Sequence, residues 1–172
     1  MNRTSSLLSE LDLHYRVLLI CVVCLTLGAC CARPLIMPDS GYRANIVALD
    51  PPLTMLKSEK RQLRVKLTNQ SDLQWITSGT DPNDLWRCSD SGQYRMMLGN
   101  HWVKSDDATS HEDGRAELPE RFDPMESSTI LLTVKAPVTA GDYILELDVV
   151  QENVTWFAAK GSTTARYPIR VE

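Results

Sequence analysis

The side chains that could act as acids, bases or nucleophiles are few, and none of them has the spacing that enzymes use. Three histidines occur in 172 residues, and only His101 and His111 lie beyond the first thirty residues. The chain has no G-x-S-x-G elbow, no H-E-x-x-H pair and no glycine-rich phosphate motif. We therefore expect no enzyme. The alternative would be a small hydrolase that uses Glu152 or Asp148 with His101.

The cysteines are the other reactive side chains. They are Cys21, Cys24, Cys30, Cys31 and Cys88. The first two lie inside an apolar run, where the role of small apolar residues is favoured over a redox motif. The remaining spacings indicate neither a disulfide framework nor a zinc site. We expect no metal and no other cofactor, and pairing between Cys31 and Cys88 stays open.

The first thirty residues have the pattern of an export signal. Residues 17–29 are apolar or small, and Arg3 and Arg16 precede them. This run is too short for an ordinary membrane span and has the length of a signal-peptide core. It ends in Leu27-Gly28-Ala29-Cys30, which resembles the bacterial lipobox. The resemblance implies an N-terminal signal helix, cleavage after residue 29, and a lipid on the Cys30 thiol; an uncleaved anchor or a non-lipidated signal is the alternative.

Lipidation would determine where the protein lies. The acyl chains on Cys30 would hold it on the membrane of a bacterial cell envelope, at the outer membrane or on the periplasmic face. The formal net charge is −4, and the two signs are interspersed. A nucleic-acid partner would require a basic stripe, so none is expected. The charge also gives no electrostatic reason for binding to an anionic membrane surface.

The rest of the chain divides into a tether and one domain. Residues 30–42 contain Pro34 and Pro38 and have no hydrophobic period, so we expect a semi-extended tether. Residues 43–172 contain short runs in which apolar and polar residues alternate, separated by turn residues, as in Leu63, Val65 and Leu67. This pattern predicts an all-β domain, specifically an immunoglobulin-like antiparallel β-sandwich of about seven or eight strands.

Three details favour the immunoglobulin architecture. Tyr143 directly follows Gly141-Asp142 at the start of a strong strand, which resembles the tyrosine corner. Leu145, two residues later, stands where antibody domains carry a cysteine, and Val65 would be its partner. Trp102 fits the core tryptophan of the third strand. An aliphatic pair is therefore expected to replace the disulfide.

Short motifs in the second half carry a more specific resemblance. They include Leu98-Gly99-Asn100-His101-Trp102, Asp113-Gly114-Arg115, Leu118-Pro119, Val150-Gln151-Glu152 and Trp156-Phe157. The series is similar to bacterial Ig-like accessory domains and distantly similar to the four-tryptophan Ig-like domain. The chain departs from the pattern at Pro124-Met125-Glu126, where the family has a Pro-Gly-Glu turn and glycine makes a positive φ easy.

Several residues are candidates for ligand binding. Trp156 and Phe157 lie in the expected connection between the last two strands, where aromatic rings could contact a sugar or a partner. The alternative is that one or both cap the core. The further candidates are Gln151, Glu152, His101, Arg115 and Trp86. Arg115 could instead pair with Asp113 or Glu117, and the acidic stretch 106–113 is expected to be a solvated loop.

These observations predict a non-catalytic binding or assembly module that a lipid anchor displays on the bacterial envelope. Its partner would be a protein or an envelope polysaccharide that contacts the end loops. The alternative is a structural spacer or an accessory subunit of an envelope enzyme such as a glycosyltransferase. The export signal and the aromatic residues in the end loops motivate the binding hypothesis, and gene neighbourhood would separate it from the alternative.

Overall fold

Eleven short strands and two 3-10 turns make up the described part of the chain. The computed structural model describes residues 37–77, 95–104 and 109–172. The strands are β1 Ala44–Ala48, β2 Thr54–Met55, β3 Lys60–Asn69, β4 Trp75–Ile76, β5 Met96–Lys104, β6 Thr109–Glu117, β7 Arg121–Phe122, β8 Ser127–Lys135, β9 Gly141–Gln151, β10 Thr155–Trp156 and β11 Ala165–Val171. The 3-10 turns are Asp39–Gly41 and Phe157–Lys160.

The strands form a β-sandwich of the immunoglobulin-like class, as the sequence predicted. One sheet has the order β1-β3-β8, and the larger sheet has the order β2-β11-β9-β5-β6, with β10 beside β9. A small third sheet joins β4 to β7. The pairs are antiparallel except that β2 runs parallel to β11, from Thr54 beside Arg170 to Met55 beside Val171.

The core lies between the two larger sheets and follows the period of two along the strands. On β3, Leu63, Val65 and Leu67 are buried, whereas the alternate residues Arg64 and Lys66 are exposed. On β9, the buried face includes Tyr143, Leu145, Leu147 and Val149. Successive side chains of a strand point to opposite faces, so this alternation alone directs each apolar set inward.

The details that favoured the immunoglobulin architecture are present. The Tyr143 hydroxyl donates a hydrogen bond to the Thr139 carbonyl oxygen at 3.1 Å, which forms a tyrosine corner. The Trp102 ring is buried and meets the Tyr143 ring edge-on, with centroids 6.2 Å apart. Val65 and Leu145 are both fully buried in the same core.

Two boundaries differ from the sequence-based expectation. Residues 109–117 were expected to begin in a solvated loop, but they form β6, which pairs with β5. Their sequence has no apolar period, so the pairing partner and not the local pattern makes this segment a strand. Residues 37–42 were expected to belong to the tether, but Met37 and Tyr42 are buried in the core, and the packed domain includes them.

The turn between β7 and β8 places a side chain in the left-handed region of backbone space. Met125 stands where the resemblance expects glycine, and it has a φ of 63°. Its amide donates to the Asn69 carbonyl oxygen at 2.8 Å, so the turn is fixed against β3. The backbone thus keeps the glycine conformation without the glycine, at a local energetic cost.

Candidate functional site

The candidate residues meet on the outer face of the larger sheet. On β5, Leu98, Asn100 and Trp102 point into the sandwich and are buried. Gly99 and His101 therefore point outward, on the face that neighbouring β6 and β9 share. Gly99 lies opposite Arg115 of β6 on one side and opposite Asp148 of β9 on the other.

The Trp156 indole lies across this face, above Gly99. Trp156 is paired with Val150 through β10, and its ring centroid lies 4.1 Å from that of His101. A Cβ atom on residue 99 would come within 2.8 Å of Trp156 Cη2. Only glycine leaves room for the indole in this position, because real Cβ atoms essentially never approach that closely.

Arg115 completes the arrangement from β6. Its Cζ atom lies 4.6 Å from the centroid of the Trp156 ring, within the range of a cation–π interaction. Its Nε donates to Glu152 Oε1 at 2.8 Å, and the two side chains are 24% and 29% exposed. We call His101, Arg115, Glu152 and Trp156 the Trp156 patch; it joins β5, β6 and the β9–β10 turn.

Two candidate residues lie elsewhere, in the interior. Phe157 was expected beside Trp156 in an exposed loop, but it is 0% exposed and packs edge-on against Tyr42 and Trp75. Gln151 is 2% exposed, and its Oε1 accepts a hydrogen bond from the Tyr42 hydroxyl at 2.6 Å. Neither side chain can reach a ligand at the surface. Phe157 therefore caps the core, which was the alternative to ligand binding for one of the two aromatic residues.

Arg115 has an ionic partner beyond the two that were expected, and the expected pairing with Asp113 stays a prediction because that side chain is not described. Glu117 lies 3.6 Å from Arg95, and Arg115 binds Glu152, which is 37 positions away in the chain. Cys30 and Trp86 lie outside the described residues, as do Cys31 and Cys88. Their predicted roles stay predictions.

A buried carboxylate lies on the same outer face, under the segment that carries Trp156. Asp148 is 1% exposed, and its two oxygens accept hydrogen bonds from the backbone amides of Val149 and Ala158 at 2.8 and 3.0 Å. Burial raises the pKa of Asp148 to about 6, although both amide hydrogen bonds oppose the rise and nearby Glu146 adds to it. Through its hydrogen bond to the Ala158 amide, the Asp148 carboxyl holds the segment after β10 against the sheet.

Sequence reasoning missed the roles of two strand glycines, one at the site and one inside the sandwich. Gly99 accommodates Trp156, and Gly114 accommodates the Asn100 side chain, whose Oδ1 accepts the Gly114 amide at 2.8 Å. A Cβ on residue 114 would lie 2.5 Å from the Thr133 carbonyl oxygen. Glycine inside a strand often marks such a close approach, so the two positions in the Leu98–Trp102 and Asp113–Arg115 motifs carried the signal.

Metal clusters and membrane-spanning helices are two further kinds of feature that a binding protein can carry. In the described part of the chain, no group of three or more histidine, cysteine, aspartate or glutamate side chains is placed to hold a metal ion. None of the helices described there is long and apolar enough to cross a bilayer.

Comparisons with known proteins find similarity in three dimensions only. No family profile and no curated protein matches the sequence. A CARDB domain from Pyrococcus furiosus, solved with di-metal ions, is 11% identical, with 76% of this chain and 86% of that chain covered and a TM-score of 0.41. The C-terminal domain of Wzt is 10% identical, with 75% and 70% covered and a TM-score of 0.44.

A conjugative transposon lipoprotein from Bacteroides eggerthii is also similar. It is 12% identical, with 74% of this chain and 97% of that chain covered and a TM-score of 0.33. At these identities and TM-scores, none of the three says anything about what this chain binds. The similarity to the four-tryptophan domain stays a prediction.

Proposed function

We propose that this chain is a non-catalytic binding module that a lipid on Cys30 anchors to the bacterial envelope, and that its partner docks on the Trp156 patch. The observation that carries the proposal is the convergence of four candidate residues from three separate segments on one half-exposed face. Tryptophan and arginine are the residue types that most often dominate binding energy at interfaces.

The patch is already ordered before any partner binds. Gly99 lets the indole lie on the sheet, and the Arg115 guanidinium is held between Trp156 and Glu152. A partner would therefore not have to immobilise these side chains, which otherwise opposes association by about 0.5–1.5 kcal/mol for each long side chain. Rigid presentation of an aromatic ring and a cation is what a recognition surface requires.

The geometry favours a protein over a polysaccharide as the partner at this patch. Both the His101 ring and the Arg115 guanidinium lie against the Trp156 indole. Less of its face is therefore left for stacking on a sugar ring, whereas the neighbouring charges suit a protein surface. An envelope polysaccharide is the second candidate.

The absence of catalysis is supported by the state of the two carboxylates that a hydrolase would use. Glu152 is paired with Arg115, and both Asp148 oxygens accept backbone amides in the interior. Asp148 is therefore buried beyond the reach of a substrate, and Glu152 is held as the ionic partner of a guanidinium.

The lipid anchor would keep the domain close to the membrane. The seven steps of chain from Cys30 to Met37 span at most about 25 Å when fully extended. Mass spectrometry of the mature protein tests the anchor: we expect an acylated N-terminal Cys30 that the Cys30→Ser variant lacks. Retention of Met1 in the mature protein would contradict it.

Site-specific photo-crosslinking in living cells tests the patch. A photoreactive phenylalanine at Val103, which lies on the same face of β5 as His101, should give a discrete adduct. The same residue at Thr133, on the outer face of the other sheet, should not. Arg115→Ala should remove the adduct, and the matched Arg166→Ala, which removes another outer-face ion pair, should retain it. An Arg115→Ala adduct equal to the parent would contradict docking on the Trp156 patch, and no adduct in the parent would favour the structural spacer.

A further inference from the structure

A second polar site lies at the edge of the sandwich, away from the Trp156 patch. It is a cavity of about 360 Å³ between β1 and residues 161–164, the segment that leads into β11. Ligand sites occupy roughly 300–1,000 Å³, and a cavity at the lower end of that range has room for one or two sugar rings. The polar groups of its lining indicate which class of ligand the cavity would bind.

The edge of β1 directs a backbone amide into the cavity. Antiparallel strands alternate between hydrogen-bonded and non-hydrogen-bonded pairs, and Leu49 donates to the Arg64 carbonyl oxygen at 2.8 Å. The amide and carbonyl of Ile46 therefore point away from β3. The neighbouring outward amides, those of Ala44 and Ala48, bind the Ser162 and Tyr167 hydroxyls at 3.0 and 2.7 Å. Ile46 lies between them and lines the cavity, so we place its outward amide at the cavity wall.

A fixed guanidinium supplies the positive charge. Arg43 lines the cavity, and its Nη1 donates to the carbonyl oxygens of Tyr42 and Lys160 at 2.7 and 2.8 Å and to that of Asp39 at 3.3 Å. Among the described residues, nothing accepts a hydrogen bond from its Nε or Nη2. The carbonyls thus orient the guanidinium and leave donors for an acceptor from outside.

The remaining lining is rich in hydroxyl and amide groups. It includes Asn45, Gln70, Ser162, Thr163 and Thr164. No carboxylate of the described residues lines this cavity, and Arg43 is the charged residue in its lining. Such a wall can bind several hydroxyl groups at once, and its charge selects for a negative group on the same molecule.

We propose that this cavity binds an anionic saccharide. The carboxylate or phosphate of the sugar lies on Arg43, and its hydroxyl groups lie against the Ile46 amide and the side chains of residues 162–164. A protein partner at the Trp156 patch is not required for this. The two sites share one segment, because Trp156 lies on the outer face and residues 161–164 of the same connection form the cavity wall.

Calorimetric titration of the full chain with three sugars tests the proposal. Digalacturonate and glucose 1-phosphate carry the two kinds of anion, and cellobiose carries none. We expect at least one anionic sugar to bind saturably with a Kd of about 1 mM or tighter, and cellobiose to bind at least tenfold more weakly. No saturable binding of either anionic sugar, or equal binding of cellobiose, would overturn the proposal.

A pair of variants at an exposed position tests the site itself. Thr163 is exposed and lines the cavity, so Thr163→Glu adds a carboxylate at the rim without disturbing the core. It should weaken binding of the anionic sugar at least about tenfold by like-charge repulsion. Thr163→Gln has a similar size and no charge, and it should stay within twofold of the parent. Equal affinities of the two variants would contradict the assigned site.

Arg43→Lys supplies the second measurement. Lysine keeps the charge but loses the planar fork, so binding of the anionic sugar should fall at least about fivefold, while cellobiose is unchanged. Unchanged affinity for the anionic sugar would contradict the role of the guanidinium. Thr163→Glu should leave the crosslink at residue 103 intact, so failure at the cavity and failure at the Trp156 patch can be told apart.

Discussion

Trp156 and Phe157 are consecutive residues, but they belong to two different groups of side chains, one on each side of the larger sheet. Phe157 belongs to an inner aromatic cluster with Tyr42, Trp75 and Phe122, in which adjacent ring centroids are 5.1–5.6 Å apart and every side chain is 0% exposed. Trp156 heads the outer Trp156 patch, which is half-exposed and includes an ion pair.

The two groups differ in how their polar atoms are satisfied. Inside, the Tyr42 hydroxyl donates to Gln151 and the Trp75 indole N–H donates to the Gly41 carbonyl oxygen at 2.9 Å. Outside, the indole is held by a cation and an imidazole that solvent also reaches. The inner cluster is therefore closed and contributes to stability, whereas the outer patch is ordered but open to a partner.

The largest expected effect is a difference in stability between alanine variants of the two adjacent aromatic residues. Phe157→Ala should lower the free energy of unfolding by about 3–5 kcal/mol, because it empties a buried site. Trp156→Ala should cost only roughly 1–2 kcal/mol, since it loses a cation–π contact and partial burial. Urea denaturation measures both. Equal losses would contradict the division into a closed interior and an open surface.

The next largest effect is a pH dependence of stability that arises from Asp148, on the outer face of the larger sheet. The pKa of Asp148 is about 6 in the folded state against an ordinary value of 3.8, so the folded state binds the proton more tightly than the unfolded chain does. The tighter proton binding adds up to about 3 kcal/mol to the free energy of unfolding below pH 4. This contribution is lost as the pH rises through 6.

Asp148→Asn isolates this contribution. The amide does not titrate, so the difference in unfolding free energy between the parent and this variant should change between pH 4 and 7 and be flat above pH 7. Because other carboxylates contribute equally to both proteins, they cancel in the difference. A flat difference over the whole range would show that Asp148 is not the titrating group.

A smaller effect tests whether Gly99 is required by Trp156. Gly99→Ala should destabilise the domain by about 1–3 kcal/mol, since the new methyl group overlaps the indole and the Arg115 guanidinium. In a Trp156→Ala background the same change should cost clearly less, because half of the obstruction is gone. A double-mutant cycle by urea denaturation gives the coupling. Additive costs would mean that the indole does not depend on the glycine.

The smallest effect is a gain at a turn that is separate from the Trp156 patch. Met125→Gly should raise the free energy of unfolding by about 0.5–1 kcal/mol, because glycine tolerates the φ of 63° that methionine adopts here. The gain should be the same in the Trp156→Ala background, as for independent sites. A loss of stability would indicate that the exposed methionine side chain makes contacts that outweigh the backbone strain.

The sequence predicted the fold and most residues of the Trp156 patch, but it did not predict how these residues are arranged. The tyrosine corner at Tyr143 and the core position of Trp102 follow from local spacing within one strand. By contrast, the sequence predicts a loop over residues 106–113, where β6 begins. Nothing in residues 109–117 alternates in polarity, and the pairing with β5 makes this segment a strand. The cavity at Arg43 was missed because its wall comes from residues more than a hundred positions apart.

The sequence by itself determined the alternation of faces along each strand. This follows from the covalent geometry of an extended chain, which is local. Only the tertiary structure decided that Phe157 is buried while Trp156 lies on the outer face, and that Arg115 binds Glu152. Those outcomes depend on the register between β5, β6 and β9, which is set by packing across the whole sandwich and has no signature in any single segment.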